Sequence, residues 1–249
     1  MKDWSSVARR WVSVFLAPRQ LFSLLYLPRY VQHWRIYQKR SQEKLRLADS
    51  YPCLADWLPA TPFDPHYLYQ GAWLARCLAM TKPEQHVDIG SSVLAVSVLS
   101  AHVSTVFVDY RPLKVDLNNL QCIAGNIVSL PFATASLSSL SCMHVLEHIG
   151  LGRYGDPLDP GGSSKAAAEL ARVLAPGGRL YLTVPVGRSR VCFNAHRVFA
   201  PREILKMFEG LRLSHFSWVD DMGHFHESGK PDDAATAEYA CGLFELVRN

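Results

Sequence analysis

No two of the six cysteines stand in a CxxC pair, which argues against a zinc centre built on cysteines. Cys122, Cys142 and Cys192 instead sit in or beside apolar runs, the pattern of buried reduced thiols, which points to the cytosol. No apolar run approaches the roughly 20 residues needed to cross a bilayer. WVSVFLA at 11–17 and LFSLLYL at 21–27 are separated by Pro18 and Arg19, and Pro28 and Arg29 end the second. No small-x-small cleavage signal follows them, so a secretory leader is not expected. GxGxxG is missing after the first strand-like segment, which counts against a nicotinamide dinucleotide site. Repeats and low-complexity tracts are also missing.

The remainder is ordinary globular protein: 249 residues, 49% hydrophobic and 19% charged, with net charge +4. That charge is unevenly placed. Residues 1–49 carry ten Lys or Arg against Asp3, Glu43 and Asp49, a net +7, which leaves the other 200 residues at −3. The balance is too weak overall for a nucleic-acid partner. The basic face belongs to an N-terminal extension, residues 1–50, where Trp4, Trp11, Phe15, Phe22, Tyr26 and Tyr30 interleave with arginines. Two readings stay open: an element lying on an anionic membrane surface, or helices that pack on protein. Residues 51–65 hold four prolines and read as an irregular connector.

From residue 66 onward a helix with apolar positions Leu68, Ala72, Leu74, Ala75, Leu78 and Ala79 opens a domain running to residue 249. Strand-like segments then recur at 86–90, 105–110, 120–126, 136–146, 179–186, 211–220 and 241–249. Helical stretches at 92–102, 163–174 and 201–210 separate several of them. This alternation predicts an α/β class fold, a doubly wound, Rossmann-like, seven-stranded, mainly parallel sheet. The helix-free return before the last strand predicts an antiparallel strand at one edge.

Ligands in such sheets bind at the carboxyl ends of the strands. The first strand ends in Asp88-Ile-Gly90-Ser91-Ser92, where a glycine lets the backbone turn close to a ligand. The second ends in Asp109, 21 positions on, the spacing of an acid that holds ribose hydroxyls. Gly125-Asn126 ends the third, and His144, followed by Glu147 and His148, ends the fourth. His144 and His148 also fit an HxxEH spacing, but a histidine ending a strand does not share a helical turn with its partner, so no metal is expected.

Over residues 66–249 the chain resembles the class I S-adenosylmethionine-dependent methyltransferases. VDIGSS, the FVDY acid, AGNIVSLPF, SCMHVLEHI and RVLAPGGRLYLTVP carry the resemblance. EHIGLGRYGDPLDPGG followed by VCFNAHRVF is similar to a narrower methyltransferase-like family known only as a domain of unknown function. The resemblance implies S-adenosylmethionine as cofactor, with Asp88 and Gly90 near its methionine part, Asp109 on the ribose and Asn126 on the adenine. Ser91, Ser92, Tyr110 and His144 complete the implied cofactor set. Ser92 stands where that superfamily prefers glycine, and Asn126 where aspartate is commoner.

Methyl transfer to a hydroxyl needs a base near the acceptor. The loops after the fourth and fifth strands offer His148, Arg153, Tyr154 and Asp156, and Asn194, His196 and Arg197. His148 or His196 is the expected base, oriented by Asp156. The expected activity is methyl transfer to a small-molecule or glycan-like acceptor, at the cytoplasmic membrane surface if the extension meets lipid. The alternative is a catalytically silent module of the same fold that docks on a membrane-associated enzyme.

Overall fold

A computed structural model describes residues 22–249. Trp4, Trp11, Phe15 and the apolar run 11–17 lie outside the described residues. The chain divides into two compact units, residues 1–63 and 64–249.

In the first unit, helix α1 spans Leu27–Arg40, opened by Pro28 in its first turn, where a missing N–H costs nothing, and closed by Lys39 and Arg40. Residues 51–63 form no regular element, and Arg29 anchors part of them by stacking over the Trp57 ring at 4.0 Å. No helix of the described residues is long and apolar enough to cross a membrane.

The second unit begins with α2, Pro65–Thr81. Asp64 caps it, its carboxylate accepting the N–H groups of His66 and Tyr67 at 2.9 and 3.2 Å. Its buried face is Gln70, Trp73, Leu74, Cys77 and Leu78, whereas Leu68 is exposed. The helix is therefore rotated from its expected setting, because Trp73 claims the sheet and the Gln70 carbonyl accepts a 2.6 Å bond from Thr183 Oγ1.

The strands follow as β1 Gln85–Ile89, β2 Ser104–Asp109, β3 Leu120–Ala124, β4 Leu137–Met143, β5 Leu174–Val186, β6 Arg190–Cys192, β7 His196–Val198, β8 Leu211–Val219, β9 Phe225–His226 and β10 Ala240–Arg248. Helix α3, Val93–Leu99, joins β1 to β2; α4, Gly162–Val173, precedes β5; α5, Pro201–Met207, precedes β8. The sheet order is β3-β2-β1-β4-β5-β10-β8-β9, with β1 to β5 parallel. β10 runs antiparallel between β5 and β8, and β9 is the antiparallel edge strand on β8. The sheet is mainly parallel with an antiparallel edge, as expected, but has eight strands, because the two residues of β9 pair with Trp218 and Val219.

Strand periodicity separates the two sides of the core. Leu180, Leu182, Val184 and Val186 of β5 join one cluster with Ala166, Leu170 and Val173 of α4 and Ile204 of α5. Tyr181, one residue out of phase, joins Trp73, Leu74 and Leu78 of α2 on the opposite face. β4 stops three residues earlier than expected. His144 adopts φ +54°, which ends the ladder, and Leu146–His148 forms a 3-10 turn. A left-handed histidine costs about 1–2 kcal/mol, and such strain gathers where a side chain must be aimed.

Candidate functional site

Strand order reverses between β1 and β4, and the cavity lies there, at the carboxyl ends of β1 to β4. It measures about 260 Å³, and Gly90, Asp109, Asn126, His144, His148 and Tyr154 are among its lining residues. Gly90 sits at φ +65°, its N–H bonded to Val108 O at 2.8 Å, which turns the chain sharply off β1. Gly125 is required for a different reason: a Cβ there would lie 2.4 Å from Val108 Cγ1. Asp109 Oδ1 accepts the Arg111 N–H at 2.7 Å, and Asn126 Oδ1 accepts the Val128 N–H at 3.1 Å. Each side chain thus pins its own turn while lining the cavity. Ser91 and Tyr110 also line it.

Asp88 and Ser92 do not. Asp88 is fully buried beneath the cavity, accepting from the Ser141 hydroxyl and, at 3.0 Å, from the Ser91 N–H. Burial pushes its carboxyl up to about 6. Its carboxylate holds the Gly90 turn in shape through the Ser91 N–H. Ser92 is the residue before α3 and its side chain makes no cap bond.

A second cavity, about 530 Å³, adjoins the first and shares His144, His148 and Tyr154 with it. Asn194 and His196 from the β6–β7 hairpin line it, together with Asp64, His66 and Tyr67 at the start of α2, Glu147, and Tyr239. Two of the expected residues turn elsewhere. Asp156 does border the first cavity, but its carboxylate is spent on the loop backbone, accepting from Gly150 N at 2.8 Å and Tyr154 N at 3.2 Å. It orients neither histidine. Arg197 is buried and donates to Ile149 O at 2.7 Å and Ser163 Oγ at 3.0 Å, clamping the loop from behind.

The carboxylate beside His148 is Glu147. His148 Nδ1 lies 2.6 Å from Ala195 O, a bond that requires the proton on Nδ1 and leaves the Nε2 lone pair free. Arg153 donates to the same carbonyl at 3.1 Å. Nε2 is 3.7 Å from Glu147 Oε1. Burial holds the His148 imidazole below its ordinary pKa although Glu147 pulls upward, so the ring is neutral near pH 7. A proton arriving at Nε2 would form an imidazolium near the Glu147 carboxylate, whose negative charge favours the charged ring. Glu147 is 1% exposed and its Oε2 has no hydrogen-bond partner among the described residues. His196 is half-buried, and its ring lies 5.0 Å from Tyr239. Tyr154 stands edge-on to His148 at 5.5 Å with the Arg111 and Arg153 guanidinium groups over its ring.

Sequence reading missed His66, Tyr67, Glu147 and Tyr239. Only Glu147 carried a local signal, standing between two singled-out histidines. The other three come from segments far from that loop along the chain.

A family model described as Caenorhabditis protein of unknown function, DUF268, matches residues 114–236, just under half of the chain. No curated protein sequence matches significantly. Among solved structures, the chain is similar to the YcgJ protein of Bacillus subtilis, at 15% identity and TM-score 0.51, over 73% of this chain and 99% of that one. It is similar to the N-methyltransferase NodS of Bradyrhizobium japonicum, solved with S-adenosyl-L-homocysteine, at 17% identity and TM-score 0.50, over 74% and 87% of the two chains. It is also similar to geranyl diphosphate C-methyltransferase of Streptomyces coelicolor, at 12% identity and TM-score 0.51, over 72% and 77%. At such identities the likeness concerns architecture, and the second unit has a Rossmann-like fold of the kind seen in these three proteins, two of them methyltransferases.

Proposed function

We propose that this protein is an S-adenosylmethionine-dependent methyltransferase acting on a small-molecule or glycan-like acceptor. One observation carries the reading: two adjoining cavities meet at His144, His148 and Tyr154. The first has a ribose-reading acid, Asp109, and an amide, Asn126, at the ends of β2 and β3. Methyl transfer is an in-line displacement, and placing two ligands end to end supplies much of its rate. The second cavity is lined by hydroxyl, amide, imidazole and aromatic groups, which suits a hydroxyl-rich acceptor. Its proton would pass to His148 Nε2, with Glu147 stabilising the resulting charge.

Calorimetry with S-adenosylmethionine and S-adenosylhomocysteine tests the cofactor half. Asp109→Ala is expected to weaken S-adenosylhomocysteine by about 10- to 100-fold, the worth of charge-assisted hydrogen bonds to ribose. Asp116→Ala, on an exposed loop position, serves as the control and leaves affinity unchanged. Equal losses in both variants would remove the ribose assignment. No binding by the intact protein would leave the silent docking module as the reading to pursue.

The acceptor reaction belongs, in this reading, at an anionic membrane surface on the cytoplasmic side. Support comes from the +7 charge of residues 1–49 and from α1 and the turn before it, where Tyr26, Leu27, Val31, Ile36 and Tyr37 are exposed among Arg29, Arg35, Lys39 and Arg40. The full chain is expected to sediment with phosphatidylglycerol vesicles at low salt, and a variant lacking residues 1–50 to remain in the supernatant. Salt screens such attraction, so full-length protein that ignores these vesicles even at low ionic strength would assign the extension to protein packing.

A further inference from the structure

His66 from α2, His144 after β4 and Cys241 on β10 bring their ligand atoms within 4.8 Å of one another. They come from three segments, which is why sequence spacing conceals them. We propose that these three side chains form a binding site for a borderline-soft divalent metal of the zinc class. Its fourth coordination position would open into the larger cavity. The site shares His144 and Glu147 with the methyl-transfer reading, but metal binding can be measured without it.

The His144–Cys241 pair already has the spacing of two ligands on one cation, and the His66 ligand atom stands within 4.8 Å of both. His144 Nε2 lies 3.4 Å from Cys241 Sγ. Tetrahedral zinc with Zn–N about 2.05 Å and Zn–S about 2.3 Å places those atoms about 3.6 Å apart. The other ring nitrogen, His144 Nδ1, is 2.7 Å from Glu147 Oε1. A carboxylate on the far nitrogen of a ligating histidine fixes its tautomer and aims its lone pair at the metal. It also accounts for an otherwise costly buried acid, whose Oε2 stays unpartnered among the described residues. His144, at the strained φ of +54°, carries the ring whose Nε2 faces Cys241. His66 stacks on His144 with ring centroids 5.4 Å apart, held by the Asp64 cap at the head of α2. His66 is half-buried and lines the larger cavity, as does His144, while Cys241 is wholly covered. A cation would therefore enter from that cavity and keep one position for a water or for an acceptor oxygen or sulfur. Two nitrogens and one thiolate favour zinc, cobalt or copper over magnesium or calcium, which prefer oxygen donors. Binding releases the Cys241 thiol proton and any proton shared between the imidazole and the sulfur.

The test uses the full chain without a histidine tag, stripped of metal by a chelator and kept reduced. Titration with Co²⁺ is expected to give one equivalent of bound metal with a sulfur-to-cobalt charge-transfer band, displaced by Zn²⁺. Cys241→Ser is expected to abolish that band, and His66→Ala to weaken Zn²⁺ by tenfold or more. Glu147→Gln should cost about 10-fold through the lost orientation of His144. Cys192→Ser, in the surface hairpin, should keep both the band and the affinity. Should Cys241→Ser fail to fold, His66→Ala decides, because its site is on the cavity wall. The proposal is overturned by no cobalt binding, by a band that survives Cys241→Ser, or by unchanged zinc affinity in His66→Ala.

Discussion

Replacing His148 with alanine is expected to lower turnover by about 10²- to 10⁴-fold, the usual contribution of a positioned general base. S-adenosylhomocysteine affinity should stay close to that of the parent, because the base acts on the acceptor. The structure supplies the reason in bond detail: Nδ1 is committed to Ala195 O, and Nε2 alone is free to take a proton. A pH profile adds a second readout. Burial holds His148 below its ordinary value of 6.5, so kcat/KM should rise with pH along an acid limb centred below 6.5 and flatten at neutrality. Stability follows the same group. Its folded pKa is depressed, so its contribution is present above 6.5 and is lost as pH falls through the folded value. Glu147 raises the His148 pKa, so Glu147→Gln should move the acid limb to lower pH as well as slow turnover. A fully active His148→Ala protein would show that the acceptor needs no base, as a carboxylate would not.

The second large effect concerns the loop that carries these side chains. Gly150→Ala is expected to destabilise the domain by about 3 kcal/mol or more, at the severe end for single substitutions. Gly150 has φ +80°, and a Cβ there would stand 1.9 Å from Asp159 O, a backbone atom that cannot rotate aside. Gly155 in the same loop is the matched control. It has φ +86° but open space, with nothing within 4 Å of where an alanine methyl would stand, so Gly155→Ala should cost only the left-handed strain of about 1–2 kcal/mol. Urea unfolding midpoints of the two variants, at unchanged slope, would measure the difference. Equal costs would mean that Asp159 yields and the loop is softer than its packing indicates. Since Gly150 N also donates to Asp156, the clash should reach Tyr154 and reduce activity beyond the loss of stability.

Much of the fold was legible because it depends on local periodicity. β5 alternates Leu180, Leu182 and Val184 against Tyr181, and α4 repeats Ala166, Ala167, Leu170 and Val173, patterns that any buried strand or helix must show. The rim of the first cavity was legible for a related reason. Gly90, Asp109 and Asn126 each end a consecutive parallel strand, and parallel order brings such ends to one rim. Asp88 shows the limit of that argument: standing two residues before Gly90, it points into the sheet and meets Ser141 instead of the cavity.

Other features were decided only by tertiary structure. The loop path from Glu147 to Gly162 is set by backbone contacts and by the buried Arg197 clamp, so Glu147, not Asp156, stands beside His148. The face of α2 was chosen by Trp73 and by the Gln70–Thr183 bond. Insertion of β10 between β5 and β8 delivers Cys241 to His144 across 97 positions of sequence. Sequence alone thus determined the elements and the side of the sheet on which a ligand would bind. Which side chains share that site was decided by chain crossings, because a contact between distant segments leaves no period in either one.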